Sequence, residues 1–202
     1  MQIFSTLAFV VIVMASMIIL VFRDWRINTA ALGVQYLAAF VMVSLSWPIG
    51  MAIVKVITGW MATSAIAFTC LRQKRGVSYS ETAASLFFRG LAGLLVVLLI
   101  FILAPSLQAG VFPDVDLMIV KGGLVLMGMS LMQLGNNSEP YLIIISLLSF
   151  LTGFEVIHAA LELSTLLTGL LVLVNLGLAL VGVFLLVSVE EPGSETGEEE
   201  TA

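Results

Sequence analysis

The sequence has few charged residues and almost none of the residues that hold metals or form disulfides. Only 10% of its 202 residues are charged, with one cysteine (Cys70) and one histidine (His158), whereas charged residues make up roughly 25% of an ordinary soluble protein. A single cysteine excludes an intramolecular disulfide and a cysteine-based metal cluster. With one histidine as well, we expect no zinc or haem site and no other cofactor. Walker loops, nucleophile elbows and dinucleotide-binding fingerprints are also lacking, so we do not expect catalysis by this chain alone.

Hydrophobic side chains are abundant instead. They make up 60% of the sequence, and the mean hydropathy is +1.16, which is more apolar surface than a soluble fold of this size can bury. This excludes a soluble enzyme, a nucleic-acid-binding protein and a disordered chain. A membrane-spanning helix needs about 20 mostly apolar residues, and the sequence contains seven such stretches, at 2–22, 27–46, 49–71, 84–106, 117–134, 141–163 and 167–189. The predicted fold is therefore all-α, a polytopic transmembrane helix bundle.

Prolines mark several of the predicted helix boundaries. Pro48 and Pro140 stand where the third and sixth helices are predicted to begin, and Pro105 is predicted to close the fourth. The least marked boundary is the one between the sixth and seventh helices, where Ser164 and Thr165 are the turn signal. A single long broken helix there would reduce the count from seven spans to six.

The acidity of the chain belongs to its C-terminal tail. The net charge is -5, but six of the thirteen acidic residues lie within 190–202, a segment too polar to fold alone. The basic residues of the loops, by contrast, cluster after the first and third helices, at 23–26 and 72–75. Because cytoplasmic loops are enriched in lysine and arginine, we predict an N-terminus outside and an acidic C-terminus in the cytoplasm, in a prokaryotic plasma membrane.

The sixth predicted helix carries three ionisable residues that are candidates for a proton pathway. Glu155, His158 and Glu162 are spaced i, i+3 and i+7, which places them on one face of a continuous helix, and Glu155 is roughly 22 Å from the start of that helix. Inside a membrane each such group costs about 2.5–3.5 kcal/mol, so each needs a reason. Glu155 and His158 could relay protons. Alternatively, Glu155 pairs with Lys121 or Lys55 and only fixes helix packing, His158 is a packing residue, and Glu162 is interfacial.

Other polar residues lie within the remaining spans. Lys55 either takes part in the relay or extends its ammonium to the membrane surface, and the latter is the favoured interpretation for Lys121. Arg89 is expected to reach the surface or to bind lipid phosphate. Gln35 is expected to form an interhelical hydrogen bond of about 0.6–2 kcal/mol. The candidate proton-pathway residues are Glu155, His158, Lys55, Lys121, Glu162 and Gln35.

Part of the C-terminal half resembles subunit K of complex I, the NADH:quinone oxidoreductase. Within TGFEVIHAALELSTLLTG, residues 153–156 stand where that family has a Gly-Leu-Glu-Ile run, and residues 177–180 match its Gly-Leu-Ala-Leu run. The resemblance implies that Glu155 is an intramembrane proton-channel glutamate. Leu173 stands where the family has a second glutamate, so the sequence departs from the family's pair.

A chain of about 200 residues with such a C-terminal part also looks like component E of hydrogenase-4. That resemblance implies a small non-redox subunit of a complex I-like, hydrogenase-4-like or Mrp antiporter-like assembly, with large antiporter-like membrane subunits as partners. Its function would be to contribute an intramembrane carboxylate to proton or cation translocation. Two alternatives remain open, a structural or assembly subunit without a proton role and a stand-alone secondary transporter.

The chain is predicted to divide into two subunit K-like three-helix units, at 1–71 and 117–189. A basic loop and a linking helix (72–116) would join them, and the disordered tail (190–202) would follow. An ancient duplication would explain this organisation. Gly33-Val34-Gln35 would then match Gly153-Phe154-Glu155, and Lys55 would stand at the position of the second family glutamate, before Gly59. Chance similarity between apolar stretches is the alternative.

Overall fold

The computed structural model describes residues 2–73, 82–162 and 164–188, and within these ranges it contains only helices as regular elements. The helices are α1 (Gln2–Val21), α2 (Trp25–Ser44), α3 (Ile49–Arg72), α4 (Ala83–Val111), α5 (Leu117–Asn136), α6 (Pro140–Leu161) and α7 (Thr165–Ser188). All seven are long and apolar enough to cross a membrane. The predicted all-α bundle of seven spans is confirmed, and the chain is an integral membrane protein. Lys74, Arg75 and the acidic tail lie outside the described residues.

Two of the predicted helix boundaries can be compared directly with the structure. The sixth and seventh spans are separate helices, because α6 ends at Leu161 and α7 begins at Thr165, where Ser164 accepts hydrogen bonds from the first turn of α7. The predicted end of the fourth helix at Pro105 is wrong, since α4 continues to Val111. Proline removes its own backbone N–H, but membrane-spanning helices tolerate it when their other backbone groups remain bonded.

Successive helices run in opposite directions, so the bundle has two distinct ends. Gln133, near the end of α5, donates to the carbonyl of Ile19 near the end of α1 (3.1 Å). Tyr141, near the start of α6, donates to the carbonyl of Trp25 at the start of α2 (2.8 Å). We call this end the basic end, because it carries Arg23, Arg26 and Arg72, and we call the opposite one the far end. Which end faces the cytoplasm stays a prediction.

Helices α1, α2, α5 and α6 form the centre of the bundle. Helices α5 and α6 cross closely, where a Cβ atom on Gly123 would lie 3.0 Å from the Gly153 carbonyl oxygen and one on Gly153 would lie 2.8 Å from that of Gly123. A Cβ atom on Gly122 would lie 2.6 Å from the Met42 sulfur, and one on Gly128 would lie 3.0 Å from a side-chain carbon of Val96. Small residues therefore allow α5 to approach its neighbours, as such residues do in membrane proteins. In the outer helices α4 and α7, buried residues make up only 17% and 28% of an 18-residue apolar stretch.

The contacts between helices follow an offset of four helices along the chain. Helix α1 packs against α5, α2 against α6 and α3 against α7, while α4 packs against both α1 and α5. This pairing is the arrangement expected if 1–71 and 117–189 are copies that point the same way. The matched residues differ in depth, however. Gln35 comes ten residues after the start of α2 and Glu155 fifteen after the start of α6, a difference of about 7 Å along the helix axis. The division into units stays a prediction.

Candidate functional site

Lys55 of α3 and Glu155 of α6 form a buried ion pair. Lys55 Nζ lies 2.7 Å from Glu155 Oε2, and their side chains are 9% and 7% exposed. Lys55 comes six residues after the first residue of α3, and Glu155 comes six before the last residue of α6. Both residues therefore lie about 9 Å inside the far end of the bundle. Lys121 and Lys55 are the two predicted partners of Glu155, and the structure shows an ion pair with Lys55. The Lys55 ammonium therefore does not extend to the surface.

The immediate surroundings of the pair are aromatic and partly polar. The Trp47 ring centroid lies 6.0 Å from Lys55 Nζ. A small cavity beside the pair is lined by Tyr36, Thr152, Lys55 and Glu155 together with apolar residues, and the space open to the centre of a water molecule is about 10 Å³. That is room for about one water. The 2.7 Å contact joins the two opposite charges directly, and Lys55 Nζ has no further hydrogen-bond acceptor among the described residues. A water in the cavity would have both charged groups as polar neighbours.

A series of buried polar side chains leads from the basic end towards the pair. We call it the polar track; it consists of Gln133, Ser130, Ser16, Gln35, Ser149 and Thr152. Counted along their helices, these residues range from roughly 5 Å to roughly 18 Å from the basic end, and Glu155 follows at roughly 22 Å.

Gln35 joins three helices in the middle of this track. Its Nε2 donates to Ser16 Oγ of α1 (3.4 Å), and its Oε1 accepts from Ser149 Oγ of α6 (3.1 Å). The predicted interhelical hydrogen bond of Gln35 is therefore confirmed. A second cavity, also large enough for about one water, is lined by Gln35, Ser16, Ser149, Ser130 and Gln133.

The sequence of α6 contains a signal for this track. Ser146, Ser149, Thr152 and Glu155 recur every third residue of α6, and all four are buried. Residues three apart lie close together on a helix surface. Each of these side chains therefore lies next to the following one on α6, along a line that turns around the helix and ends at the Glu155 carboxylate.

His158 and Glu162 differ in their relation to Glu155. His158 is half-buried within α6, and its ring centroid is 6.0 Å from that of Phe154. Glu162 lies beyond the last helical residue, with φ -139° and ψ 136°, and is exposed. The prediction that Glu155, His158 and Glu162 share one helical face is therefore wrong for Glu162, because helical spacing does not continue past Leu161. Its exposed position agrees with the interfacial interpretation.

The two remaining basic residues are also held inside the bundle. Lys121 is buried, and its Nζ lies 4.6 Å from the ring centroid of Phe101, a cation–π contact in place of the surface position predicted for its ammonium. Arg89 is buried, and its Nη1 donates to the carbonyl of Val21 (3.5 Å). The guanidinium of Arg89 thus contacts the end of α1 at the basic end of the bundle, and its contact with lipid phosphate stays a prediction.

Tyr36 links the pair to the seventh helix. Its hydroxyl donates to Asn175 Oδ1 (3.0 Å), and its ring packs on Gly59, where an added Cβ would lie within 2.3 Å of a ring carbon. The absence of a side chain at Gly59 is what lets the ring pass between α2 and α3. Leu173, by contrast, is 69% exposed, so the position of the second family glutamate lies on the outside of this chain.

The arrangement brings a carboxylate and an ammonium together at the end of a polar track, with an imidazole one helical turn away, and each of these groups can take up or release a proton. Among the described residues, no group of three His, Cys, Asp or Glu side chains could hold a metal ion. Comparisons of the chain with protein-family models, with curated proteins and with solved structures find no match.

Proposed function

We propose that this chain is a small membrane subunit of a complex I-like, hydrogenase-4-like or cation-antiporter-like assembly, and that its Lys55–Glu155 pair takes part in proton translocation. The pair is the observation that carries this proposal. Removing two charges from water costs several kcal/mol per ion, and apolar residues of similar size often stabilise a protein as well or better. Ionisable residues retained inside spans are typical of ion and proton pathways.

The depths of the polar groups give the pathway an order. The polar track supplies hydroxyl and amide groups, with room for water, between the basic end and Glu155. A proton that reaches Glu155 neutralises the carboxylate and ends its attraction to the Lys55 ammonium; loss of that proton restores the pair. His158 lies one turn closer to the far end, and Glu162 lies at that end. We assign them to the exit side of the pathway.

The outer helices support a place among other membrane subunits. Most of the α4 and α7 surface is exposed and apolar, including Leu98 and Leu180. Such faces suit lipid or the helices of neighbouring subunits. The partners proposed from the resemblance are large antiporter-like subunits, and these or a redox subunit would supply the driving force.

The test of this proposal is the variant Glu155→Gln, studied in the assembly that co-purifies with the tagged chain. Mass spectrometry of the purified material first identifies the partners. Proton pumping by membrane vesicles is then measured with a pH-sensitive dye, and complex yield is measured beside it. We expect pumping per complex to be lost, even where the unpaired Lys55 ammonium lowers the yield. Asp114→Asn, which removes an exposed loop carboxylate at the same end, is the matched control and should pump normally.

The other outcomes separate the alternatives. Normal pumping by Glu155→Gln at normal yield would contradict the proton role. Loss of complex yield with normal pumping per complex would favour a structural or assembly subunit. In that role the ion pair would stabilise the subunit by joining α3 to α6. A stable chain that purifies alone and transports in proteoliposomes would favour a stand-alone transporter.

A further inference from the structure

A groove opens between α2 and α3 on the basic-end side of the ion pair, and it shares no lining residue with the cavity beside the pair. It has a volume of about 400 Å³. Small residues form part of its lining, with Ala30 and Gly33 on α2 and Ser64 and Ala67 on α3. Their short side chains leave an elongated space between two neighbouring spans. We call this space the α2–α3 groove.

Two tryptophans bound the groove at different depths. Trp25 is the first residue of α2, at the basic end. Trp60 lies at the deep end, and its Nε1 donates to the Gly33 carbonyl oxygen (3.2 Å), which fixes the ring across the two helices. Gly33 comes eight residues after Trp25, so the groove extends about 12 Å into the membrane. That length accommodates the part of a lipid acyl chain that is nearest the headgroup.

A positive charge stands at the mouth of the groove. Arg26 is exposed, and its guanidinium carbon lies 5.3 Å from the Trp25 ring centroid. Asp24 is nearby, but its carboxylate caps α2 by accepting from the Arg26 backbone N–H (2.9 Å). Arg72 ends α3 at the same end of the bundle but is not among the residues that line the groove. The mouth of an apolar groove therefore carries a guanidinium at the level where a lipid headgroup lies.

We propose that the α2–α3 groove binds one anionic phospholipid, with an acyl chain along Ala30, Gly33 and Ala67 and its phosphate on Arg26. Charge complementarity selects this occupant. Arginine forms strong charge-assisted hydrogen bonds with phosphate oxygens, and basic pockets between transmembrane helices bind anionic headgroups. The proposal does not depend on the proton role of the Lys55–Glu155 pair, so either can fail without the other.

The experiment is native mass spectrometry of the full-length chain in detergent. Phosphatidylglycerol and phosphatidylcholine with identical acyl chains are added at equal concentration. We expect one bound lipid, with about a fivefold preference for phosphatidylglycerol. Arg26→Gln should remove this preference, whereas Arg26→Lys should retain part of it. Arg72→Gln removes the same charge at the same end but outside the groove, so it should leave the preference unchanged.

A second variant tests the acyl-chain part of the site. Ala30→Phe should reduce the binding of both lipids by filling the groove, while Ala30→Ser, of similar size to alanine, should not. Helical content by circular dichroism shows whether each variant folds. An equal preference in Arg26→Gln and the unchanged chain would overturn the assignment of Arg26, as would an equal loss in Arg72→Gln. Unchanged lipid binding by a folded Ala30→Phe variant would overturn the assignment of the groove as the acyl-chain site. Competition by inorganic phosphate alone would point to a free-anion site instead.

Discussion

The interaction between Lys55 and Glu155 can be tested by a double-mutant cycle. At 2.7 Å and an effective dielectric constant of about 20, the Coulomb attraction is about 6 kcal/mol before desolvation is counted. Desolvation of the two ions opposes most of this, so the pair itself stabilises the fold only weakly. Removing one partner is different, because it leaves an uncompensated charge inside the bundle, which costs about 3–5 kcal/mol. For a chain of this size, that loss corresponds to a fall in Tm of about 10 °C.

We therefore expect Lys55→Met to lower the Tm of the detergent-solubilised chain strongly. The double variant Lys55→Met/Glu155→Gln should recover much of the loss, because no buried charge is then left without its partner. Lowering the buffer pH should also reduce the loss in Lys55→Met, since protonation of Glu155 removes the unpaired charge. Thermal unfolding followed by circular dichroism measures all of these effects.

Lys121→Met is the matched control, because it removes another buried lysine, one that lies over Phe101 rather than against Glu155. Combined with Glu155→Gln, it should give additive changes in stability. Losses in Lys55→Met and Glu155→Gln that add within about 0.5 kcal/mol would show that the two charged groups do not interact. A stronger coupling of Glu155 to Lys121 than to Lys55 would also contradict the structure.

Three further predictions concern the packing that holds the site, each measured by the same thermal unfolding assay. Gly153→Ala should destabilise the chain by about 1–3 kcal/mol, because the added Cβ would lie 2.7–2.9 Å from atoms of α5. Gly135 has open space around it, so Gly135→Ala should be neutral. An equal loss of stability in both variants would contradict close packing of α5 and α6. Gln35→Leu should cost about 1–2 kcal/mol by removing two interhelical hydrogen bonds, and an unchanged Tm would show that the track does not join the helices. Pro105→Ala should leave the Tm equal or higher, since alanine restores a backbone donor within α4; a clear loss would indicate that the proline shapes the bundle.

The number of spans and the charged residues of the site were predictable because membranes impose simple costs. Each span needs a long apolar run, and a charge within such a run stands out, as Lys55 and Glu155 do. The pairing was not predictable. Lys55 and Lys121 lie six and four residues after the starts of their helices, at the same end of the bundle. Only the tertiary arrangement, in which α3 brings its lysine to α6, selects between them.

The polar track escaped prediction for a different reason. Serine and threonine in membrane-spanning helices commonly donate to a carbonyl of their own helix, as Ser146 and Thr152 do here. Such hydroxyl groups are inconspicuous in an apolar sequence. The helix end predicted at Pro105 is wrong for a related reason. Proline usually ends a helix in soluble proteins, but a membrane-spanning helix can continue past it, as α4 does.

The depth of Glu155 has an electrical consequence. Counted along α6, the carboxylate lies about 70% of the way from the basic end to the far end. A proton that travelled from the basic end to Glu155 would therefore cross most of the membrane voltage. One elementary charge across the full membrane corresponds to about 2.3 kcal/mol per 100 mV, so this step would account for about 1.6 kcal/mol. Occupancy of Glu155 from that end would then respond to voltage by more than tenfold per 100 mV, whereas occupancy from the far end would respond only weakly.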